Sequence, residues 1–143
     1  MANWIATNVL SGAVETPKYV EIGIITEIYT VALTTALANG DTIFGPTMPA
    51  GCYLTDVKVD VDQLDTNVTP LIAFEAGYTG ALAAFIASGN ATARTGGIQP
   101  ANVHGTVGFT AVTNTQVLVT VTAAAATAAA GTMRIALSYT ASP

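Results

Sequence analysis

The sequence has few charged residues and very few basic ones. Charged residues make up 9% of the chain, against about 25% in a typical soluble domain. The four basic residues, Lys18, Lys58, Arg94 and Arg134, are scattered and are outnumbered by nine acidic ones. Because nucleic acids and anionic membranes are bound through clustered basic side chains, we expect the protein to bind neither.

Cysteine and histidine are nearly absent, which excludes several kinds of site. Cys52 is the one cysteine and His104 the one histidine, so neither an intrachain disulfide nor a zinc site with the usual number of ligands can form within the chain. The serines carry no nucleophile-elbow motif, and no P-loop motif is present. Nothing near Cys52 or His104 supports a catalytic pair. We therefore expect that the protein is not an enzyme and that it has no catalytic residue and no cofactor.

Long apolar runs and secretory features are also lacking. The apolar stretch at residues 19–37 is interrupted by Glu21 and Glu27 and is rich in threonine, which makes it a poor membrane span. The first twelve residues lack a basic region followed by an apolar one. These features lead us to expect synthesis in a cytoplasm, without a secretory signal.

Alanine and threonine are abundant and together fill 49 of the 143 positions. A surface covered by such residues is weakly solvated and has little charge to repel neighbouring molecules. The composition fits a subunit whose exterior is covered by other subunits. It also fits an ordinary threonine-rich β domain.

Short segments with strand-like alternation run through most of the chain. In residues 53–64, Val57, Val59 and Val61 share one parity and charged residues take the other, as in a half-buried strand. Further strand-like segments lie at 42–45, 68–77, 103–112, 116–123 and 131–140, while residues 81–90 fit a strand or a short helix. The pattern predicts an all-β fold, namely one antiparallel β-sandwich or jelly-roll-like domain of about eight or nine short strands.

Other segments are less regular. The apolar parity of residues 19–37 changes near Ile28 and Tyr29, which predicts a bulge or a break between two strands, with an amphipathic helix as the alternative. Residues 91–102 and 123–131 predict loops. We expect an N-terminal arm at residues 1–16 and a sandwich domain at residues 17–143. The arm would dock on this chain or on a neighbour through its apolar side chains, which are Trp4, Ile5, Val9 and Leu10.

The densest acidic stretch, residues 56–65, allows two interpretations. On a strand, Asp56, Asp60 and Asp62 would form a solvated face with Lys58 among them. Alternatively, a calcium ion would bind at the strand end, through Asp62, Asp65 and Asn67. A calcium loop usually has a glycine at its sharp turn and a later bidentate glutamate, and both are missing here, so the solvated face is the favoured interpretation.

Residues 40–140 resemble a loose group of structural proteins of tailed bacteriophages, the head decoration (cement) or minor capsid-associated proteins. The resemblance lies in GDTIFGPTMPAG (40–51), LTDVKVDVDQLD (54–65), FIASGNATARTGG (85–97) and QVLVTVTAAAATAAAGTMRIALSYT (116–140). It implies a non-enzymatic β-sandwich that binds the outer surface of a phage capsid and bridges neighbouring capsomers. The implied partners are the major capsid protein and further copies of this chain, most simply in a trimer. The alternative is a receptor- or glycan-binding β module of a head fibre or tail.

Overall fold

Eight β-strands form the regular structure of residues 23–141, the residues that a computed structural model of the chain describes. In chain order they are β1 (Ile25–Leu33), β2 (Thr42–Met48), β3 (Cys52–Val61), β4 (Ala73–Tyr78), β5 (Ala81–Asn90), β6 (Gly97–Pro100), β7 (Thr115–Ala123) and β8 (Gly131–Ala141). A single turn of 3-10 helix, Thr92–Arg94, lies between β5 and β6.

The strands pair into two antiparallel sheets of four strands each. The first sheet has the order β1-β8-β3-β6 and the second the order β2-β7-β4-β5. Strand β1 pairs with β8, β2 with β7, β3 with β6 and β4 with β5, as in a long hairpin that wraps into two facing sheets. This is the topology of a jelly roll. The predicted all-β sandwich is therefore confirmed.

The core lies between the two sheets and follows the strand alternation. Val57, Val59 and Val61 are buried and lie opposite Leu137, Ile135 and Met133 of β8. Each buried aliphatic side chain of this size contributes about 1.5–3 kcal/mol. The second sheet adds its own inward side chains, which are Ile43, Phe74, Ala76, Ile86, Val117 and Val119.

The predicted break within residues 19–37 is wrong for the described part of that segment. Strand β1 pairs with β8 without any shift of register. Its inward positions include Glu27 and Val31, which lie opposite the buried Leu137 and Met133 of β8, and Leu33, which is itself buried. Ile28 points outward and is 59% exposed. Apolar residues on both faces of this edge strand produced an apparent change of parity.

Two further segments differ from expectation between β5 and β7. Residues 103–112, predicted as a strand, form turns, because Gly105 and Gly108 have φ angles of 89° and 87° that an extended strand does not allow. Conversely, Gly97–Pro100 forms β6 within a segment predicted as a loop. Its register on β3 places the exposed Ile98 opposite Asp60. The predicted loop at residues 123–131 is confirmed.

The loops separate into two ends of the sandwich. The β1–β2, β3–β4, β5–β6 and β7–β8 loops lie at one end, and the β2–β3, β4–β5 and β6–β7 loops lie at the other, as the antiparallel order requires. We call the first the clamp end, because hydrogen bonds accepted by Asp65 and donated by Arg94 tie three of its loops together. The other is the open end, where the described chain begins and ends.

Candidate interaction surface

The outer face of the first sheet carries alternating charges. Asp56, Lys58 and Asp60 point outward from β3, and Arg134 of β8 lies opposite Asp60. Lys58 Nζ is 3.2 Å from Asp56 Oδ2, and Arg134 Nη1 is 3.3 Å from Asp60 Oδ2. Exposed ion pairs contribute only about 0–1 kcal/mol each. We call this surface the charged face, and it agrees with the solvated strand face predicted from the sequence.

The outer face of the second sheet has one charged side chain, that of Glu75, and a row of large apolar side chains. Phe44 of β2 lies opposite Leu118 of β7, which in turn lies opposite Gly77 of β4, and Leu82 projects from β5 beside them. Phe44 is 60% exposed and Leu82 is 40% exposed, whereas Leu118 between them is only 7% exposed. We call Phe44, Leu118 and Leu82 the apolar stripe. It crosses the sheet from one edge strand to the other.

A shallow, open depression of about 640 Å³ lies at the part of this stripe formed by Leu118 and Leu82. It is lined by Leu82, Leu118 and Glu75 and by the small residues of the β4–β5 hairpin. Gly77 allows the hairpin to close, because a Cβ atom at this position would lie 2.0 Å from the carbonyl oxygen of Ala81. The depression offers a partner an uncharged floor with one carboxylate, that of Glu75, beside it.

The apolar stripe was not among the residues predicted from the sequence. Its signal was present in the segment TIFG, where Phe44 follows Ile43 and so points to the opposite side of the strand. Only the sheet order shows that Leu118 and Leu82 join Phe44 on one surface.

Asp65, predicted as a calcium ligand, is buried at the clamp end. Its Oδ1 accepts hydrogen bonds from the backbone N–H groups of Asn67 and Thr127. Its Oδ2 accepts hydrogen bonds from those of Leu71, Ile72 and Ala126.

Hydrogen bonds from the backbone determine the charge state of Asp65. Burial acts to raise the pKa of this carboxyl, but the hydrogen bonds from backbone N–H groups outweigh it and hold the pKa well below its usual range. The buried carboxylate therefore remains charged at neutral pH, and it ties the β3–β4 loop to the β7–β8 loop.

Arg94 holds the same β3–β4 loop from the opposite side. Its Nε donates a hydrogen bond of 2.9 Å to the carbonyl oxygen of Ile72, and its Nη2 donates one of 3.4 Å to that of Leu71. Leu71 and Ile72 thus donate their backbone N–H groups to Asp65, and their carbonyl oxygens accept hydrogen bonds from Arg94. Together, Asp65 and Arg94 fix the β3–β4, β5–β6 and β7–β8 loops of the clamp end.

The other two predicted calcium ligands are also engaged in hydrogen bonds. Asp62 Oδ2 accepts one from the Thr132 N–H, and Asn67 Oδ1 accepts one from the Thr69 N–H. Among residues 23–141, no three His, Cys, Asp or Glu side chains are grouped in a way that could hold a metal ion. Calcium binding by Asp62, Asp65 and Asn67 stays a prediction, and it would require these bonds to break. Calorimetric titration with calcium tests it.

The remaining titratable groups of interest are buried or isolated. Burial raises the pKa of the Cys52 thiol, which disfavours the nucleophilic thiolate, whereas His104 is exposed in the β6–β7 loop. Burial also raises the pKa of Glu27 on the inner side of β1, and a hydrogen bond with Tyr29 opposes this effect.

The predicted docking residues of the arm, Trp4, Ile5, Val9 and Leu10, lie outside the described residues, so docking of the arm stays a prediction. Within residues 23–141, no helix has the length and apolar character needed to cross a membrane.

Comparison with solved structures finds similar chains in three phage capsids. A chain of the cyanophage Pam1 capsid asymmetric unit superposes with a TM-score of 0.77 at 28% identity, covering 90% of this chain and 92% of that one. A chain of the Ralstonia phage GP4 capsid has a TM-score of 0.77 at 24% identity, covering 90% of each chain. A chain of the acid-stable capsid of Helicobacter pylori bacteriophage KHP30 has a TM-score of 0.56 at 13% identity, covering 80% of this chain and 92% of that one.

Neither the protein-family models nor the curated proteins give a match to the sequence. At their lower identities, the GP4 and KHP30 chains show a shared fold. The Pam1 chain shares both the fold and more than a quarter of the aligned residues. These solved chains confirm the predicted resemblance to structural proteins of phage heads.

Proposed function

We propose that this protein is a non-enzymatic structural protein of a phage virion, which binds the outer surface of the capsid and stabilises it by bridging neighbouring capsomers. The observation that carries the proposal is the match to the Pam1 chain. The alignment covers 92% of that chain and 90% of this one, so the two are similar in length. The matched chain is thus a small separate subunit of a capsid asymmetric unit rather than one domain of a much larger shell protein.

Stabilisation of a shell by such a subunit follows from binding linkage. A ligand that binds the assembled shell but not its dissociated parts stabilises the assembly by mass action. Many copies bind one shell, and several contacts within one oligomer multiply the effect of each. We therefore propose the major capsid protein as the partner and a homo-oligomer, most simply a trimer, as the binding form.

Purified virions test this proposal directly. Mass spectrometry should detect the protein in the particles, and cryo-EM should place it on the outside of the head between capsomers. Capsids that lack the protein should melt at a lower temperature and recover when it is added back. Absence from virions, or a location confined to the tail, would refute the proposal.

A cavity at the open end favours glycan binding as a second candidate function. It has a volume of about 290 Å³ and is lined by Tyr78, Phe109, Asn114 and Gln116 among others. The rings of Tyr78 and Phe109 lie 5.0 Å apart. Sugars commonly stack on such rings, because an aromatic side chain offers an apolar face. Their hydroxyl groups can form hydrogen bonds with side-chain amides such as those of Asn114 and Gln116. A glycan array without a hit would exclude this function for the sugars it displays.

A further inference from the structure

We infer that the protein seats on the capsid through the apolar stripe of Phe44, Leu118 and Leu82, and that its charged face points to solvent. This inference rests on the proposed function and identifies the surface that performs it. The occupant of the stripe is an apolar patch on the outer surface of the shell that carries one basic group, placed to meet Glu75.

The contrast between the two sheets is the first ground for this assignment. The outer face of the first sheet carries four charged residues, Asp56, Lys58, Asp60 and Arg134, whereas Glu75 is the one charged residue in the strands of the second sheet. Seating the charged face on a shell would remove two exposed ion pairs from water at a cost that their mutual attraction does not reliably offset. Seating the apolar stripe removes hydrocarbon from water, which is favourable.

Charge complementarity specifies the partner further. Glu75 lines the depression beside Leu82 and Leu118, and no residue among 23–141 forms a salt bridge with it. A patch that covers the stripe also brings its own side chains close to this carboxylate. A lysine or arginine at that point of the shell would pair with Glu75, whereas an acidic residue would repel it.

The size of the stripe favours a shell over a second copy as its occupant. Taking about 200 Å² for a fully exposed large side chain, the exposed fractions of Phe44, Leu118 and Leu82 leave roughly 200 Å² of these three side chains accessible. A stable complex between two free proteins usually buries about 800 Å² on each partner. The stripe alone is therefore too small to hold two free molecules together. It suffices on a shell, where several contacts of one bound oligomer act jointly.

Phe44→Ser and Ile28→Ser form a matched pair of variants for the test. Phe44 is 60% exposed and Ile28 is 59% exposed, and they lie on edge strands of opposite sheets. Both variants should keep the wild-type circular dichroism and melting temperature to within a few degrees, because neither side chain belongs to the core. Each full-length variant is mixed with capsids of the parent phage that lack the protein, and bound protein is measured after sedimentation.

We expect Phe44→Ser to weaken binding about tenfold or more, the loss typical of one central interface side chain, and Ile28→Ser to bind like wild type. Glu75→Lys should weaken binding as well. The inference is overturned if Ile28→Ser reduces binding and Phe44→Ser does not. It is equally overturned if Phe44→Ser lowers the oligomer mass of the free protein without changing capsid binding, since the stripe would then lie between copies. A wild-type protein that does not sediment with capsids would instead refute the proposed function itself.

Discussion

Replacement of the buried Asp65 by asparagine should destabilise the protein more than the same kind of replacement at any other acidic residue of the described loops. The carboxylate accepts five backbone hydrogen bonds through two oxygens. The asparagine side chain keeps one oxygen acceptor, and its NH₂ group takes the place of the other carboxylate oxygen. This NH₂ group then faces the backbone N–H donors that had bonded to that oxygen. At least the two bonds at Oδ1 are therefore lost, and they are replaced by contacts between donors.

The expected loss can be expressed as a change in melting temperature. Hydrogen bonds to a charged group are about twice as strong as those between neutral groups. The loss of two of them in a domain of this size lowers the melting temperature by roughly 10–15 °C. Asp60→Asn is the matched control, because its exposed ion pair with Arg134 should change the melting temperature by no more than about 3 °C.

The pH dependence gives this prediction a second test. The folded-state pKa of Asp65 lies below its unfolded value, so its contribution is fully present above about pH 4 and is lost as the pH falls further. The difference in melting temperature between wild type and Asp65→Asn should thus be constant from pH 5 to 8 and shrink below about pH 4. Equal melting temperatures of wild type and Asp65→Asn at pH 7 would refute the stabilising role of Asp65 at the clamp end. A loss of wild-type stability on chelation of calcium would indicate a metal site instead.

Three further predictions concern other parts of the molecule. Glu27→Gln should raise the melting temperature at pH 7 by a few degrees and leave it unchanged near pH 4. The raised folded-state pKa of Glu27 means that its charged form destabilises the fold, whereas its protonated form does not. An equal effect at both pH values would contradict this. Gly77→Ala should lower the free energy of unfolding, measured by denaturant titration, by about 2–3 kcal/mol, because the new Cβ would clash with backbone atoms of the β4–β5 hairpin. Gly23→Ala is the control. A Cβ there would have no atom within 4 Å, so the free energy of unfolding should change little. Deletion of residues 1–16 should reduce sedimentation of the protein with capsids and leave its melting temperature nearly unchanged; undiminished binding would reject the docking arm.

The apolar stripe and the hydrogen bonds of Asp65 at the clamp end were harder to predict from the sequence than the strands. Asp65 was considered as a metal ligand because it stands in an acidic stretch, yet two of its hydrogen-bond donors, Ala126 and Thr127, lie about sixty residues away in the chain. No local pattern in the sequence predicts such a contact. Phe44 similarly acquires its neighbours Leu118 and Leu82 only through the order of strands in the second sheet.

Most strands of the core could be located from the sequence alone, because side-chain direction along a strand alternates with a period of two and this period is visible in the order of residues. In this way the sequence placed Val57, Val59 and Val61 inside and Asp56, Lys58 and Asp60 outside. It failed on β1, where both faces of an edge strand carry apolar side chains. The grouping of Phe44, Leu118 and Leu82 on one surface and the burial of Asp65 emerge only from the tertiary structure. Those properties depend on contacts between segments distant in the chain, which arise when the eight strands wrap into two facing sheets.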